Sequence, residues 1–297
     1  MSGNVLQLRR KIANADDLLT VVRTMKTLAA ANIGQYEQAV VALADYYRTV
    51  EQGLGVCLRQ VGAAERLLPP LRTGAGAGVV VFGSDQGLVG QFNADLEDYL
   101  LTAQKDETLP FRVWAVGERI QTRLSDAGVT IQSTLAVPQS VAAITPLVQQ
   151  LLFETESLRA LGDMGPLYLF HNRPEKRKQY RPSRQRLLPL DRQWRQALVD
   201  QSWEGSCLPE VIGGVEGTLR TLIYEYLFVS LFRACAESMA SENASRLAAM
   251  QRAENNINER LDELNHDYHR LRQSLIDEEL FDVVSGFEAL ANKEGGE

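Results

Sequence analysis

Cysteine, histidine and tryptophan are scarce in this chain of 297 residues, with three of each. The cysteines Cys57, Cys207 and Cys235 form no CxxC pair, so the sequence predicts neither a disulfide framework nor a thiolate metal site. His266 and His269 share a helix face, but two imidazoles without a further ligand make a poor metal site. HExxH and GxSxG motifs are also missing. We therefore expect no catalytic residue, no cofactor and no metal.

Long apolar runs are missing as well. The densest one, Leu222 to Ala236, is interrupted by Glu225 and Arg233 and falls short of the roughly 18 to 20 apolar residues of a membrane helix. The N-terminus has neither the apolar block of a signal peptide nor the acid-poor composition of a transit peptide. These features predict a cytoplasmic protein.

The net charge of −7 is unevenly distributed. Residues 1–62 carry seven basic and five acidic side chains, residues 63–210 carry 16 and 17, and residues 211–297 carry 8 and 16. A slightly positive first segment and a negative last segment attract each other mildly. The distribution does not indicate a nucleic-acid partner.

Two apolar seams, one at each end of the chain, are the dominant positive feature. Each repeats about every 3.5 residues, and the first makes 16 steps in 56 residues. Because a straight helix repeats every 3.6 residues, this spacing predicts two long helices that supercoil around each other. The first seam is Val5, Leu8, Ile12, Ala15, Leu19, Val22, Met25, Ala29, Ile33, Tyr36, Val40, Leu43, Tyr47, Val50, Leu54, Cys57 and Val61. The second is Val215, Leu219, Leu222, Tyr226, Val229, Phe232, Ala236, Ala240, Ala244, Leu247, Met250, Ala253, Ile257, Leu261, Leu264, Tyr268, Leu271 and Leu275.

The middle of the chain alternates short apolar runs with helical patterns. Alternation of this kind predicts a small open sheet covered by helices, similar to half of a nucleotide-binding fold. The predicted strands are Val79–Phe82, Phe111–Val116, Val129–Leu135, Pro166–Phe170 and Leu187–Leu190, and the predicted helices are Phe92–Gln104 with Asn93 as N-cap, Glu118–Asp126 and Ser140–Leu161.

The expected fold is therefore α/β, with a long antiparallel two-helix coiled coil and an inserted Rossmann-like domain. The predicted boundaries are 1–62 for the first helix, 63–210 for the insert and 211–297 for the last helix.

The segment from Gly83 to Gly90 follows a strand and precedes a helix, which is where phosphate-binding loops lie. It matches neither GxGxxG nor GxxxxGK[ST], and it contains no lysine. We therefore interpret Gly83, Asp85, Gly87 and Gly90 as a structural turn whose glycines meet backbone demands.

A basic stretch runs from Arg173 to Arg186, with seven Lys or Arg and one acid in 14 residues. It predicts either a patch for an acidic partner or a solvated hairpin between strands. Tyr180 is the only aromatic residue that could stack on a base, so nucleic acid is not the expected partner.

Three segments together resemble the gamma subunit family of F-type ATP synthases. Arg9–Ile12 with Thr24–Ala31 resembles the family's basic start and its Ala-rich Met-Lys segment. Ser84–Asn93 is similar to the family's SDRGLCGGFN turn, with Gln86, Val89 and Gln91 as departures. Ala240–Met250 and Arg272–Gly286 resemble its closing helix. The likeness spans the whole chain.

The resemblance implies a non-catalytic central rotor shaft that couples ion-driven rotation of a membrane ring to ATP synthesis or hydrolysis. Its implied partners are the alpha and beta subunits of the catalytic head, the epsilon subunit and the ring of c subunits, at the cytoplasmic face of a bacterial membrane. The implied contact residues are Met25, Lys26, Arg272, Gln273, Asp277 and Phe287. Asp277 stands where the family has Thr, and the family's Tyr-Glu-Pro-like segment has no match in Trp203–Pro209.

The end of the last helix should project alone, because at about 1.5 Å per residue it is longer than the first helix. Its apolar residues are Leu280, Val283, Val284, Phe287 and Leu290. The resemblance implies that they form a bearing in a hydrophobic sleeve, and helix packing or fraying is the alternative.

Two other functions fit the same architecture. One is a small nucleotide-dependent α/β enzyme with a coiled-coil dimerisation arm, and the other is a scaffold without a coupling role. Nucleotide binding by the purified chain would favour the enzyme.

Overall fold

The computed structural model describes residues 2–61, 76–107, 109–175, 178–201, 203, 207, 209–212 and 214–294, with side chains described from residue 4 to residue 285 except Val61. By its internal contacts the chain divides into two units, Met1–Leu28 with Leu247–Glu297, and Ala29–Arg246. The elements in order are α1 Ser2–Val61, β1 Gly76–Phe82, α2 Phe92–Asp106, β2 Phe111–Val116, α3 Glu118–Asp126, β3 Ile131–Leu135, α4 Ile144–Ala160, β4 Met164–Pro174, β5 Tyr180–Leu188, α5 Arg192–Asp200 and α6 Val215–Glu294.

In the first unit, the start of α1 and the second half of α6 run antiparallel. Arg23 Nε donates to Glu254 Oε1 over 2.9 Å, and one turn further along α1 Lys26 Nζ donates to Gln251 Oε1 over 3.0 Å. As residue numbers increase along α1, the numbers of their partners on α6 decrease, so the two helices run antiparallel. Leu19, Leu261 and Leu264 are buried in this unit.

Both predicted seams are confirmed. Every described member, from Val5 to Cys57 and from Val215 to Leu275, is buried or half-buried, and none is exposed. The prediction succeeds because the 3.5-residue repeat determines which side of a helix faces its partner.

The second unit contains a five-stranded sheet in the order β3-β2-β1-β4-β5. Strands β1 to β4 are parallel, and β5 pairs antiparallel with β4. Because side chains alternate between the faces of a strand, Val80 and Phe82 join one core with parts of α1, α4 and α6. Val79 and Val81 join a second core with α2 and α3. This is the predicted open sheet covered by helices.

Three details differ from the sequence prediction. Strand β4 is longer than Pro166–Phe170 at both ends, and β5 begins before Leu187 and ends at Leu188, because the two strands form a long hairpin through the basic stretch. Helix α5 was not predicted. Asn93 is not the N-cap of α2, since the helix begins at Phe92 and the Asn93 side chain turns back to Ser84.

Alanine substitutions at two glycines of α1 should change the stability of the fold in opposite directions. A Cβ on Gly55 would lie 2.6 Å from the backbone oxygen of Leu198 in α5, whereas a Cβ on Gly34 meets nothing within 4 Å. We expect Gly55→Ala to lower the free energy of unfolding by about 1 to 3 kcal/mol through overpacking. Gly34→Ala should raise it by about 0.5 to 1 kcal/mol, because alanine is the better helix former. Urea unfolding of both variants checks this, and a gain in stability for Gly55→Ala would contradict the observed close approach of α5 to α1.

Candidate functional site

The turn after β1 joins several elements through one carboxylate. Asp85 Oδ1 accepts a hydrogen bond from the backbone N–H of Glu118, the first residue of α3, over 3.1 Å. Asp85 Oδ2 accepts from the backbone N–H of Val137 over 2.9 Å. Asp85 therefore ties the turn to the start of α3 and to the segment that follows β3.

Ser84 and Asn93 close the same turn from inside. The backbone N–H of Ser84 donates to Asn93 Oδ1 over 3.1 Å, and Asn93 Nδ2 donates to Ser84 Oγ over 2.8 Å. Ser84 Oγ in turn donates to the carbonyl of Gln86 over 2.9 Å. Both side chains are buried, and Ser84 is fully so.

The glycines of the turn differ in what they require. A Cβ on Gly83 would lie 2.4 Å from Ile120 Cβ, and Gly90 has a φ of 58°. A Cβ on Gly87 would meet only Arg119 Nη2, at 3.9 Å, and its φ is not in the left-handed region. The backbone demand that we expected at Gly87 lies instead at Gly83 and Gly90. Leu88 also has a positive φ, 63°, and its side chain is exposed.

The turn is poorly suited to a phosphate. The Asp85 carboxylate, which accepts from the N–H of Glu118 at the start of α3, would repel an anion bound in the turn. A second carboxylate, Glu242 of α6, lies near Asp85 and is buried. Among the described residues, no group of three or more His, Cys, Asp or Glu is arranged to hold a metal ion.

A buried polar strip on α6 faces the sheet. Ser238 Oγ donates to the carbonyl of Phe82 at the end of β1 over 3.0 Å, and Ser245 Oγ donates to the carbonyl of Val89 over 2.6 Å. Between them, Glu242 forms an ion pair with Arg246 at 2.6 Å. The strip thus holds both ends of the turn against α6.

Glu237 begins this strip and contacts three basic side chains. Its Oε2 lies 2.9 Å from His171 Nε2 and 3.6 Å from Arg173 Nε, both on β4. Its Oε1 accepts from Arg233 Nε over 2.8 Å. This cluster is not predictable from the local sequence, because Glu237 and His171 are 66 residues apart.

The two buried glutamates have opposite pKa shifts. Burial raises the pKa of Glu242 above its usual 4.5, and nearby Arg246 only partly opposes this. Burial acts on Glu237 too, but hydrogen bonds and charges from His171 and Arg233 outweigh it and lower the pKa of Glu237 below 4.5.

These shifts predict opposite pH dependences. Glu242 contributes stability below pH 4.5 that is lost as pH rises through its folded-state pKa, and Glu237 contributes stability above pH 4.5 that is lost as pH falls through its folded-state pKa. We expect the stability of the wild type relative to Glu242→Gln to fall as pH rises. Relative to Glu237→Gln it should fall as pH decreases. Urea unfolding from acidic to neutral pH measures both differences, and slopes of the same sign would refute the assignment.

The basic stretch forms much of the β4–β5 hairpin. Arg184 pairs with Glu107, which lowers the pKa of that carboxyl, and its guanidinium lies 4.1 Å from the centre of the Tyr168 ring. Arg186 pairs with Asp191 at 2.5 Å. Part of the stretch therefore has partners within the fold.

Other members of the stretch leave the acidic-partner hypothesis open. Lys178 and Arg181 are exposed and form no ion pair with any residue that the structure describes. Lys176 and Arg177 lie outside the described residues. An acidic partner at this hairpin stays a prediction.

Lys26, one of the predicted contact residues in α1, already pairs with a residue of α6. Lys26 Nζ lies 2.5 Å from Glu254 Oε2, and Arg23 shares the same carboxylate. Together they lower the pKa of Glu254. Met25 is half-buried. Lys26 is thus committed to α6, which reduces the charge that it can offer a partner.

The predicted contact residues of α6 whose side chains are described are exposed. Arg272, Gln273 and Asp277 all face solvent, and within the described part of the chain Arg272 forms no ion pair with Asp277 or Glu279. The Phe287 side chain lies outside the described residues.

The apolar tip of α6 extends beyond α1. Counting equal steps outward from the pair Arg23–Glu254 places Ser2 near Leu275. Leu280, Val283 and Val284 lie further out, and their side chains are 62%, 70% and 47% exposed.

None of the helices that the structure describes is long and apolar enough to cross a membrane.

Known proteins resemble this chain over nearly its whole length. A family model described as ATP synthase matches residues 4–290, nearly the whole chain. The ATP synthase gamma chain of Anaeromyxobacter sp. (strain Fw109-5) is 27% identical over 301 residues, covering 95% of this chain and 98% of the relative. That of Moorella thermoacetica is 27% identical over 291 residues, covering 97% and 99%. The chain therefore belongs to the ATP synthase gamma-chain family.

Solved structures support the fold. The rotor of the Euglena gracilis mitochondrial ATP synthase matches with a TM-score of 0.64 and 17% identity, covering 93% of this chain and 100% of that chain. The central stalk and c-ring structure from Tetrahymena thermophila matches with a TM-score of 0.55 and 20% identity, covering 78% and 99%.

Proposed function

We propose that this chain is the central rotor of an F-type ATP synthase, coupling ion-driven rotation of a membrane ring to ATP synthesis or hydrolysis in the catalytic head. The family match over residues 4–290 carries the proposal, because it includes both helices of the shaft and the insert. The similar solved structures are described as rotor, c-ring and central stalk.

The chain itself is a non-catalytic subunit and needs no cofactor. Its partners are the alpha and beta subunits, the epsilon subunit and the ring of c subunits, and it is peripheral to the cytoplasmic face of a bacterial membrane. The same proposal includes the domain boundaries 1–62, 63–210 and 211–297 and the structural role of Gly83, Asp85 and Gly90 in the turn.

The mechanism follows from asymmetry. Because the two helices differ in length, the surface of the shaft is not the same on all sides. Each surrounding catalytic subunit therefore faces different side chains, and these change as the shaft rotates. Each angle therefore favours a different conformation in each subunit by differential binding. The exposed apolar residues of the tip, Leu280, Val283 and Val284, suit a hydrophobic sleeve because none of the helices that the structure describes covers them.

Arg272 and Gln273 are the proposed grip on a catalytic subunit. Arg supplies a planar fork suited to carboxylates and carbonyls, and both side chains are exposed on α6. We expect the double replacement Arg272→Ala and Gln273→Ala to reduce coupled ATP synthesis in membrane vesicles by roughly tenfold, as for truncation of side chains that matter at an interface. The melting temperature of the chain should not change. Unchanged synthesis would remove both residues from the contact surface.

Co-purification tests the rotor assignment. The native chain should bring down alpha and beta subunits in a fixed ratio, and added ATP should leave the melting temperature of the isolated chain unmoved. A small nucleotide-dependent enzyme would instead purify as a homodimer and be stabilised by ATP. That result would contradict the rotor assignment.

A further inference from the structure

The contact between α6 and the sheet is unusual in being polar as well as buried. Glu237, Ser238 and Ser245 are 6%, 2% and 3% exposed, and each bonds to the carboxyl end of β4 or β1 or to the turn that follows β1. Helices ordinarily pack on sheets through apolar side chains, which attract without directional preference. Because hydrogen bonds are directional, this polar contact restricts the orientation in which α6 packs on the sheet.

The Glu237 cluster is built from two separate elements. His171 and Arg173 approach the carboxylate from β4, and Arg233 approaches from α6. An ionised carboxylate only accepts hydrogen bonds, so His171 Nε2 carries the proton of the 2.9 Å bond. His171 Nδ1 is buried and has no partner among the described residues. The imidazole thus has one anchoring bond, and that bond goes to α6.

The geometry limits rotation of α6 about its own axis. Each residue of an α-helix turns the axis by roughly 100° and rises about 1.5 Å. A one-residue shift would therefore bring Ala236 or Ser238 in front of His171 and leave a buried carboxylate without its partners. Ser238 and Ser245 lie two turns apart on the same face and would lose the carbonyls of Phe82 and Val89 together.

We propose that Glu237 is a positioning residue that, through His171, fixes the rotational setting of α6 against the sheet, so that torque passes between them without slip. This inference rests on the proposed rotor function. It concerns how the chain transmits rotation, not whether it is a rotor. The charged groups that face the pair are Arg233 on α6 and Arg173 on β4.

The test uses the whole synthase complex reconstituted in vesicles. ATP hydrolysis and the membrane potential that it generates are measured together, the latter with a potential-sensitive dye that responds to either coupling ion. The variants are Glu237→Gln, His171→Gln and their combination. The matched control is Glu225→Gln, on the same helix, where Tyr46 Oη donates to Glu225 Oε2 over 2.7 Å.

We expect Glu237→Gln and His171→Gln each to lower the ratio of ion transport to hydrolysis by roughly threefold to tenfold, as for the loss of a coupled buried pair. The double variant should be no worse than the more affected single variant, because both changes break one contact. Glu225→Gln should match the wild type. A folding defect alone would lower the amount of complex and leave this ratio unchanged.

Three results would overturn the inference. They are an unchanged ratio in Glu237→Gln, a double variant whose loss is the product of the single losses, and failure of both single variants to assemble, which would make the pair a folding contact only. Absence of ATP-driven transport in the wild type would count against the rotor function instead.

Discussion

Replacement of Gly83 by alanine is expected to lower the free energy of unfolding by about 2 to 3 kcal/mol, because the new methyl group overpacks a closed core. The added Cβ would lie 2.4 Å from both Cβ and Cγ2 of Ile120 and 2.9 Å from Asn93 Oδ1. Ile120 is fully buried, and its β-branched side chain has little rotamer freedom. The strand and helix α3 must therefore move apart.

Gly87→Ala is the matched control in the same turn. Its Cβ would be 3.9 Å from the flexible end of Arg119, so the change should stay within about 0.5 kcal/mol. Urea unfolding followed by circular dichroism measures both. Equal losses of unfolding free energy in Gly83→Ala and Gly87→Ala would show that Ile120 does not lie close to Gly83.

Replacement of Asn93 by alanine is expected to lower the free energy of unfolding by about 2 to 3 kcal/mol, since it leaves a buried donor unpaired and removes a second hydrogen bond. The N–H of Ser84 would lose Asn93 Oδ1, and Ser84 Oγ would lose Asn93 Nδ2. Ser84 is fully buried and Asn93 is 7% exposed, so water has little access to the groups that would lose the amide.

Asn256→Ala serves as the control for this change. Asn256 is exposed on α6, and its replacement should be within about 0.5 kcal/mol of the wild type. A loss at Asn93 as small as that at Asn256 would mean that the Ser84–Asn93 pair does not hold the turn. Thermal unfolding in parallel gives an independent comparison.

The long helices could be predicted from the sequence because their signal is local and repeated. The 3.5-residue period repeats along α1, so the prediction does not depend on any single residue. Every described seam residue is indeed buried or half-buried. The order of strands and helices in the insert was predictable for the same reason. Each buried parallel strand, such as Val79–Phe82, is a continuous apolar run.

The first seven residues of strand β5, Tyr180 to Arg186, were not predicted as strand, because part of their charge is balanced by residues distant in the sequence. Arg184 lies on the Tyr168 ring and pairs with Glu107, which is 77 residues away in the chain. A strand of Arg, Pro, Ser and Gln has no alternating apolar pattern. Its extended conformation follows instead from pairing with β4.

The sequence of helix α5 contains an N-cap residue that could have predicted where the helix begins. Asp191 Oδ1 accepts from the backbone N–H groups of Gln193 and Trp194, as an N-cap does. At Asn93 the prediction is wrong in the opposite sense. Asn is typical of N-caps, but here its side chain forms a tertiary contact instead. The Glu237 cluster had no local signal, because β4 and α6 meet only in the folded chain.

Rotation of the chain inside the catalytic head is the most direct test of the account. Cys207 is exposed, whereas Cys57 and Cys235 are buried, so a maleimide-linked bead would attach at Cys207 in a complex whose head subunits lack cysteine and are fixed to a surface. On addition of ATP the bead should turn continuously in one direction, and it should stop when ATP is removed. A bead that stays still while the same complexes hydrolyse ATP would contradict the assignment of this chain as the rotor.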